Sequence, residues 1–136
     1  MSDFSQYQQI GTLAGADYYL ADPDIILVIP QTGYHDNVQL ARQSADFLNE
    51  YVGKAEKKFA TVIVMSNVLA QDAETRRIYQ NLAGNGLYFG IGMVVDSALS
   101  RALASFFIGF SRPPIPTQLF NTVEKSIEWL RTIRPQ

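Results

Sequence analysis

The sequence predicts an α/β fold with a single mixed sheet of about five strands, in the order β-β-α-β-α-β-α-β-α. Three observations indicate it: apolar runs of strand length, amphipathic segments of helix length between them, and turn or capping residues at the junctions. A chain of 136 residues lies in the size range of one domain, and no linker-like stretch divides it. We therefore interpret residues 1–136 as one domain, with residues 1–16 unassigned.

The chain opens with a predicted antiparallel hairpin. Two β-prone runs, at residues 17–21 and 25–30, are separated by Asp22-Pro23-Asp24, which is typical of a turn. The second run is continuously apolar, as expected for a strand that is covered on both faces. The hairpin would add an antiparallel edge to the sheet.

Residues 36–52 predict the first helix, since their apolar residues recur at three- and four-residue spacing. Asp36 and Gln39 have the spacing of a capping box, so we expect Asp36 to cap this helix and Gly53 to end it. Residues 59–65 follow as a buried strand.

A second helix is expected to begin at the N-cap Asp72 and to end around Gly84 and Gly86. Residues 87–95 predict another buried strand, and residues 97–109 a third helix with a broad apolar face. Alternating strands and helices predict that these later strands run parallel.

The last third of the fold begins with a proline-rich connector at residues 112–116, where three prolines exclude a helix. A short strand is predicted at residues 118–120. Asn121 and Glu124 again have capping-box spacing, ahead of a C-terminal helix that runs to Ile133.

Composition excludes several classes of function. The net charge is −2 and the basic residues are dispersed, which argues against binding to nucleic acid. The absence of cysteine excludes disulfides, thiolate metal sites and cysteine nucleophiles. The apolar stretches at 87–95 and 102–110 are about half the length of a membrane-spanning helix, and no signal peptide is visible. We expect a cytoplasmic protein that uses neither a metal nor a cofactor.

The glycines and carboxylates have structural explanations. Gly90 and Gly92 lie inside a predicted strand rather than between a strand and a helix, so close packing of a helix on the strand is favoured over a phosphate-binding loop. The carboxylates are spread singly and several occupy turn or cap positions. His35, the single histidine, follows a strand end, where a ligand site is possible, but a solvated loop residue is the favoured interpretation.

An aromatic cluster, Phe106, Phe107 and Phe110, covers a wide arc of the third predicted helix. Core packing is the favoured interpretation. The alternative is a surface that meets a partner, a second copy of the chain or an apolar ligand.

A family resemblance lies in the last third of the chain. The helix from Asp96 to Phe110 ends in a Phe-Phe-x-Gly string, and is followed by the proline-bearing connector, the short strand and a Trp129-Leu130 helix. This arrangement resembles small stand-alone bacterial proteins of the STAS-like group, which have a SpoIIAA-like fold. The resemblance implies a mixed α/β domain across residues 17–133.

Regulatory STAS proteins are docking modules that are controlled by phosphorylation of a serine next to an aspartate. The matching aspartate is Asp72, but the acceptor position is Ala73, which has no hydroxyl. The resemblance therefore does not imply a phosphorylation switch here, and no phosphorylation is expected at Ala73. Ser66 and Thr75 are nearby hydroxyls that do not match the motif position.

The resemblance and the aromatic excess together favour a non-enzymatic interaction or regulatory module that docks to a protein partner or forms a homodimer. The expected surface combines the edge from Ser66 to Arg77 with the helix from Ser97 to Phe110. Its expected members are Ser66, Asp72, Arg76, Arg77, Arg101, Phe106, Phe107 and Phe110.

Two alternatives stay open. One is a carrier or sensor of an apolar small molecule or lipid, held between the helix at 97–110 and the sheet. The other is a hydrolase or transferase that uses His35, Asp36 or Asp72, which requires a deep polar pocket joining those residues.

Overall fold

Four helices and eight strands make up the fold in the computed structural model, which describes residues 4–13, 15–70, 72–111 and 114–135, without the side chains of 69, 70, 106, 107, 110 and 111. The strands are β1 (Gln8–Leu13), β2 (Ala16–Asp22), β3 (Ile25–Pro30), β4 (Tyr34–His35), β5 (Phe59–Val64), β6 (Val68–Ala70), β7 (Tyr88–Val94) and β8 (Thr117–Phe120). The helices are α1 (Val38–Gly53), α2 (Ala73–Ala83), α3 (Ala98–Ser111) and α4 (Val123–Ile133), and a 3₁₀ turn spans Met65–Asn67.

Six strands form the main sheet, in the order β1-β2-β3-β5-β7-β8. The pairs β1–β2 and β2–β3 are antiparallel, whereas β3, β5, β7 and β8 run parallel. The short strands β4 and β6 pair with each other, next to the end of β3 and β5. The predicted mixed α/β fold is confirmed, but the strand count of about five was too low.

Three strands are missing from the prediction: the short pair β4 and β6, and β1 of the main sheet, which lies within the segment 1–16 that had no assignment. Strand β1 lies at the edge of the sheet, and its sequence QQIGTL is mostly polar or small. Edge strands tolerate polar residues because one side of the strand faces solvent, so β1 carries no apolar run.

Two of the three predicted helix caps are wrong by one residue. Asn37, and not Asp36, caps α1 by accepting a hydrogen bond from the backbone N–H of Leu40, and α1 includes Gly53. Thr122, and not Asn121, caps α4. Capping-box spacing alone does not distinguish neighbouring polar residues, each of which can cap a helix. The predicted cap at Asp72 is confirmed.

The helices cover opposite faces of the sheet. On one face α4 packs against β5, β7 and β8 through Val123, Ile127 and Leu130. On the other face α1 and α2 lie side by side, followed by α3. A Cβ atom at Gly92 would lie 2.8 Å from Ser126 Cβ, so this glycine permits α4 to approach the strand, as the sequence predicts.

An ion-pair cluster joins the β2–β3 turn to the end of α4. Arg131 contacts both carboxylate oxygens of Asp22, at 2.8 and 2.9 Å. Arg134 donates to Asp22 at 2.7 Å and to Asp24 at 2.8 Å. Hydrogen bonds from Arg131 lower the pKa of Asp22 to about 2, although burial opposes the shift.

We expect Asp22→Asn to lower the free energy of unfolding by about 1–2 kcal/mol at neutral pH, because charge-assisted hydrogen bonds are lost. The pKa of Asp22 is lower in the folded state than its ordinary value of 3.8. Its contribution is therefore fully present above about pH 4 and is lost as the pH falls toward 2. The free energies of unfolding of the wild type and Asp22→Asn should therefore become similar near pH 2. Urea titrations of both proteins at several pH values would measure the difference between them.

Glu50→Gln is the matched control. The Glu50–Lys54 pair has side chains that are 73% and 75% exposed, so the loss should be within about 0.5 kcal/mol. A difference between Asp22→Asn and the wild type that is independent of pH would contradict the role given to this carboxylate.

Among the described residues, no helix combines the length and the apolar character that crossing a membrane requires.

Candidate functional site

A cavity of about 80 Å³ lies between the sheet and the helix pair α1–α2. The sheet contributes residues of β2, β3, β5 and β7, and the helices contribute Ser44, Leu48, Tyr79, Leu82 and Ala83. The remaining lining residues are Ala16, Tyr18, Val28, Pro30, Tyr34, Asp36, Thr61, Ile63, Met65, Val68, Tyr88, Ile91 and Met93. The wall is thus mostly apolar and contains four tyrosines.

Strand alternation places the sheet residues in this wall. On β5, Thr61 and Ile63 line the cavity, while Val62 packs in the core cluster beneath α4. On β7, Ile91 and Met93 line the cavity. A period of two along each strand therefore gives one set of side chains to α4 and the other to the cavity.

A β-bulge at the start of β7 directs Tyr88 into the cavity. Phe59 pairs with Tyr88, but the next residue, Ala60, pairs with Gly90, so Phe89 is an extra residue. Tyr88 consequently packs in the cluster under α1, while Phe89 packs in the cluster under α4. Bulges commonly redirect a side chain in this way.

Tyr88 lines the cavity, and its hydroxyl is buried without a hydrogen-bond partner among the described residues. The side chain is 3% exposed, and burial raises the pKa of this phenol. A buried hydroxyl without a partner costs about 1–3 kcal/mol, so such a group points to a water or ligand atom that would satisfy it.

A second polar region of the wall contains three other tyrosines. Tyr18 and Ser44 share a buried hydrogen bond of 2.6 Å. Tyr34 donates to Asp36 Oδ1 at 3.3 Å, and Tyr79 also forms a hydrogen bond with Asp36. Asp36 is only 9% exposed.

Burial is the main cause that raises the pKa of Tyr34 and of Tyr79, and the negative charge of Asp36 raises both further. Both phenols are therefore neutral at physiological pH and remain hydrogen-bond donors. The arrangement can bind and orient a ligand, and it provides a fixed carboxylate beside aromatic rings.

The described residues of the predicted docking surface differ in burial and lie outside the cavity. Ser66 and Arg76 are half-buried, while Asp72 and Arg77 are exposed. Arg101, also exposed, donates to Asn121 Oδ1 at 3.3 Å. None of these five lines the cavity.

Asp72 has a structural role as the N-cap of α2. Its carboxylate accepts a hydrogen bond from the backbone N–H of Thr75 at 2.8 Å, and this bond lowers the pKa of Asp72. The side chains of Phe106, Phe107 and Phe110, which complete the predicted surface, lie outside the described residues. The backbone of all three belongs to α3.

The residues of the predicted hydrolase or transferase do not converge. Asp36 is buried in the cavity wall, whereas His35 and Asp72 are exposed and do not line the cavity. The described lining of the cavity includes no residue of α3, the helix beside which the apolar ligand was predicted to lie.

Sequence reasoning did not single out the four tyrosines as site residues. It gave Asp36 two roles, as the cap of the first helix and as a candidate catalytic residue. The sequence gives a partial signal for Tyr18, because this residue lies within the predicted strand at 17–21. An aromatic residue in a strand can point to either face of the sheet, so the strand alone does not predict that Tyr18 lines a cavity. The position of Tyr88 was not predictable from strand alternation, since the bulge turns its side chain to the face of the sheet opposite to the one that alternation predicts.

Comparison with known proteins gives the family and the fold. One solved structure is an uncharacterized protein from the DUF3478 family with a SpoIIAA-like fold, from Shewanella loihica PV-4, with a TM-score of 0.60 and 10% identity over 96% of this chain and 98% of that one. A second, a protein with unknown function from Arthrobacter sp. FB24, has a TM-score of 0.31 and 21% identity over 90% and 97% of the two chains.

No curated protein matches the sequence. The first similarity confirms the SpoIIAA-like fold that the resemblance implied. Residues 23–134 match the family model DUF7793, described as a domain of unknown function. The chain therefore belongs to the DUF7793 family and has a SpoIIAA-like fold.

Proposed function

We propose that the protein binds a small, mostly apolar molecule in the cavity between the sheet and the α1–α2 pair. The observation that carries the proposal is Tyr88, which lines an existing cavity and has a buried hydroxyl without a partner among the described residues. Ligand sites are typically apolar cavities with a few polar groups at defined positions, as here.

The size of the cavity limits the ligand. Its volume of about 80 Å³ is roughly half that of a cavity that holds benzene, at about 150 Å³. Benzene has six non-hydrogen atoms, so a compact molecule of about three to five non-hydrogen atoms is the expected occupant of the cavity as it stands. Tyr34, Tyr79 and Leu82 are half-buried, so a longer molecule would have to extend past these side chains.

Binding without turnover is part of this proposal. The single histidine is outside the cavity. Among the polar groups of the wall, Tyr34 and Tyr79 form hydrogen bonds with Asp36. Tyr18 pairs with Ser44, and the Tyr88 hydroxyl has no partner among the described residues. These groups suit recognition of a ligand better than acid–base catalysis, because the high pKa of the phenols opposes proton transfer near neutral pH.

Ala83→Leu should abolish binding of a small probe. Ala83 is 4% exposed and lines the cavity, so a leucine there would occupy most of the space. We expect tert-butanol at millimolar concentration to show saturable binding to the wild type by ligand-detected NMR, and no such binding to the variant.

Ala102→Leu is the matched control, because Ala102 is exposed on α3. It should bind tert-butanol like the wild type, and all three proteins should be folded by circular dichroism. Equal binding of tert-butanol to the wild type and to Ala83→Leu would contradict the proposal.

The second candidate function is the predicted self-association through α3 and the adjacent edge. One observation favours it: Leu99 on α3 is 51% exposed, the only large apolar side chain so exposed among the described residues. Sedimentation of the wild type and Leu99→Asp at high concentration would test it, and a wild type that is entirely monomeric would contradict it.

A further inference from the structure

The cavity wall contains one carboxylate. Asp36 is the one charged residue among the described lining residues, the others being apolar, tyrosine, serine or threonine. Tyr34 and Tyr79 both form hydrogen bonds with its carboxylate, an arrangement that stabilises a carboxylate anion inside a protein. An anionic ligand would meet this charge where little water screens it.

The aromatic rings of the wall add to this preference. Tyrosine rings carry negative charge on their faces and attract cations, most strongly where the cation has lost its water. Four tyrosines line a cavity of about 80 Å³, so a ligand of matching size lies near several of these rings at once.

The Tyr88 hydroxyl provides an acceptor in the same wall. A hydroxyl both donates and accepts, so an N–H group of a ligand would satisfy it. A bare metal ion or ammonium would lose too much hydration on entering a mostly apolar cavity. Alkyl groups on the nitrogen reduce that loss and fill the apolar part of the wall.

Resting on the proposed function, we propose that the cavity selects a small alkylammonium, a compact organic cation with apolar substituents, over neutral and anionic molecules of the same size. Asp36 and the tyrosine rings account for the preference for a cation, and the apolar residues of the wall contact the alkyl substituents of the ligand.

Three probes that each have five non-hydrogen atoms separate charge from size: tert-butylammonium, tert-butanol and propionate, with charges of +1, 0 and −1 at neutral pH. The first two also have nearly identical shapes, and we expect tert-butylammonium to bind at least about tenfold more tightly than tert-butanol. We expect no saturable binding of propionate. Dissociation constants from NMR titrations of the wild type at low ionic strength provide the comparison.

The outcomes distinguish the two proposals. If tert-butanol binds as tightly as tert-butylammonium, or if propionate binds best, the charge preference is wrong while the binding cavity stands. If none of the three binds, the proposed function itself fails. If tert-butylammonium binds best, both stand.

Asp36→Asn tests the origin of the preference, since it preserves the shape of the side chain and removes its charge. The ratio between tert-butylammonium and tert-butanol should fall to within about threefold. Asp46→Asn makes the same change at an exposed position of α1 and should leave the ratio unchanged. An unchanged ratio in Asp36→Asn would contradict the role of this carboxylate; if that variant does not fold, the comparison of the three probes on the wild type decides.

Discussion

Gly92→Ala is expected to lower the free energy of unfolding by about 2 kcal/mol, because the added methyl group has no space. A Cβ atom at this position would lie 2.8 Å from Ser126 Cβ, which is attached directly to the backbone of α4. Only a shift of the helix or the strand would relieve the contact. Urea denaturation monitored by circular dichroism would measure the change.

Gly109→Ala is the matched control, and it is expected to raise the free energy of unfolding, where Gly92→Ala lowers it. Gly109 lies in α3, and a Cβ atom there would meet no atom of the described residues within 4 Å. Alanine is favoured over glycine in a helix, so we expect a gain of about 0.5–1 kcal/mol. A loss of less than about 0.5 kcal/mol at Gly92 would contradict the close packing of α4 on β7.

Gly15→Ala is expected to cost about 3 kcal/mol and to disrupt the cavity. Gly15 has a φ of +75°, which disfavours any residue with a Cβ atom, and that atom would lie 2.6 Å from Tyr34 Cε1. The ring of Tyr34 would have to leave its place in the cavity wall. Binding of tert-butylammonium should therefore weaken together with stability.

Gly86→Ala separates the effect of backbone strain from the effect of the contact with Tyr34. Gly86 has a φ of +84°, but a Cβ atom there would meet nothing within 4 Å. Backbone strain alone should cost about 1–2 kcal/mol and leave ligand binding unchanged. Equal losses of stability at both positions, with unchanged binding, would show that Tyr34 does not depend on the space at Gly15.

Much of the fold was predictable because its signals are local. The central strands are covered on both faces, so β3, β5 and β7 appear in the sequence as continuous apolar runs. The Asp22-Pro23-Asp24 turn and the cap at Asp72 are likewise set by residues next to them.

The remaining features depend on contacts between distant residues. The edge strand β1 exists because β2 offers it a hydrogen-bonding partner, and its own sequence has no apolar run. Asp36 belongs to the cavity because Tyr34 and Tyr79, from separate elements, bring their hydroxyls to it. The bulge at Tyr88 depends on the register between β5 and β7, which no local pattern encodes.

The binding cavity can be tested most directly on the two methionines in its wall, Met65 and Met93. With ¹³C-labelled methionine methyl groups, titration of tert-butylammonium should shift both signals along one saturating curve. The Ala83→Leu variant should show no such shifts. Signals of Met65 and Met93 that remain unchanged with both tert-butylammonium and tert-butanol would contradict a ligand site between the sheet and the α1–α2 pair.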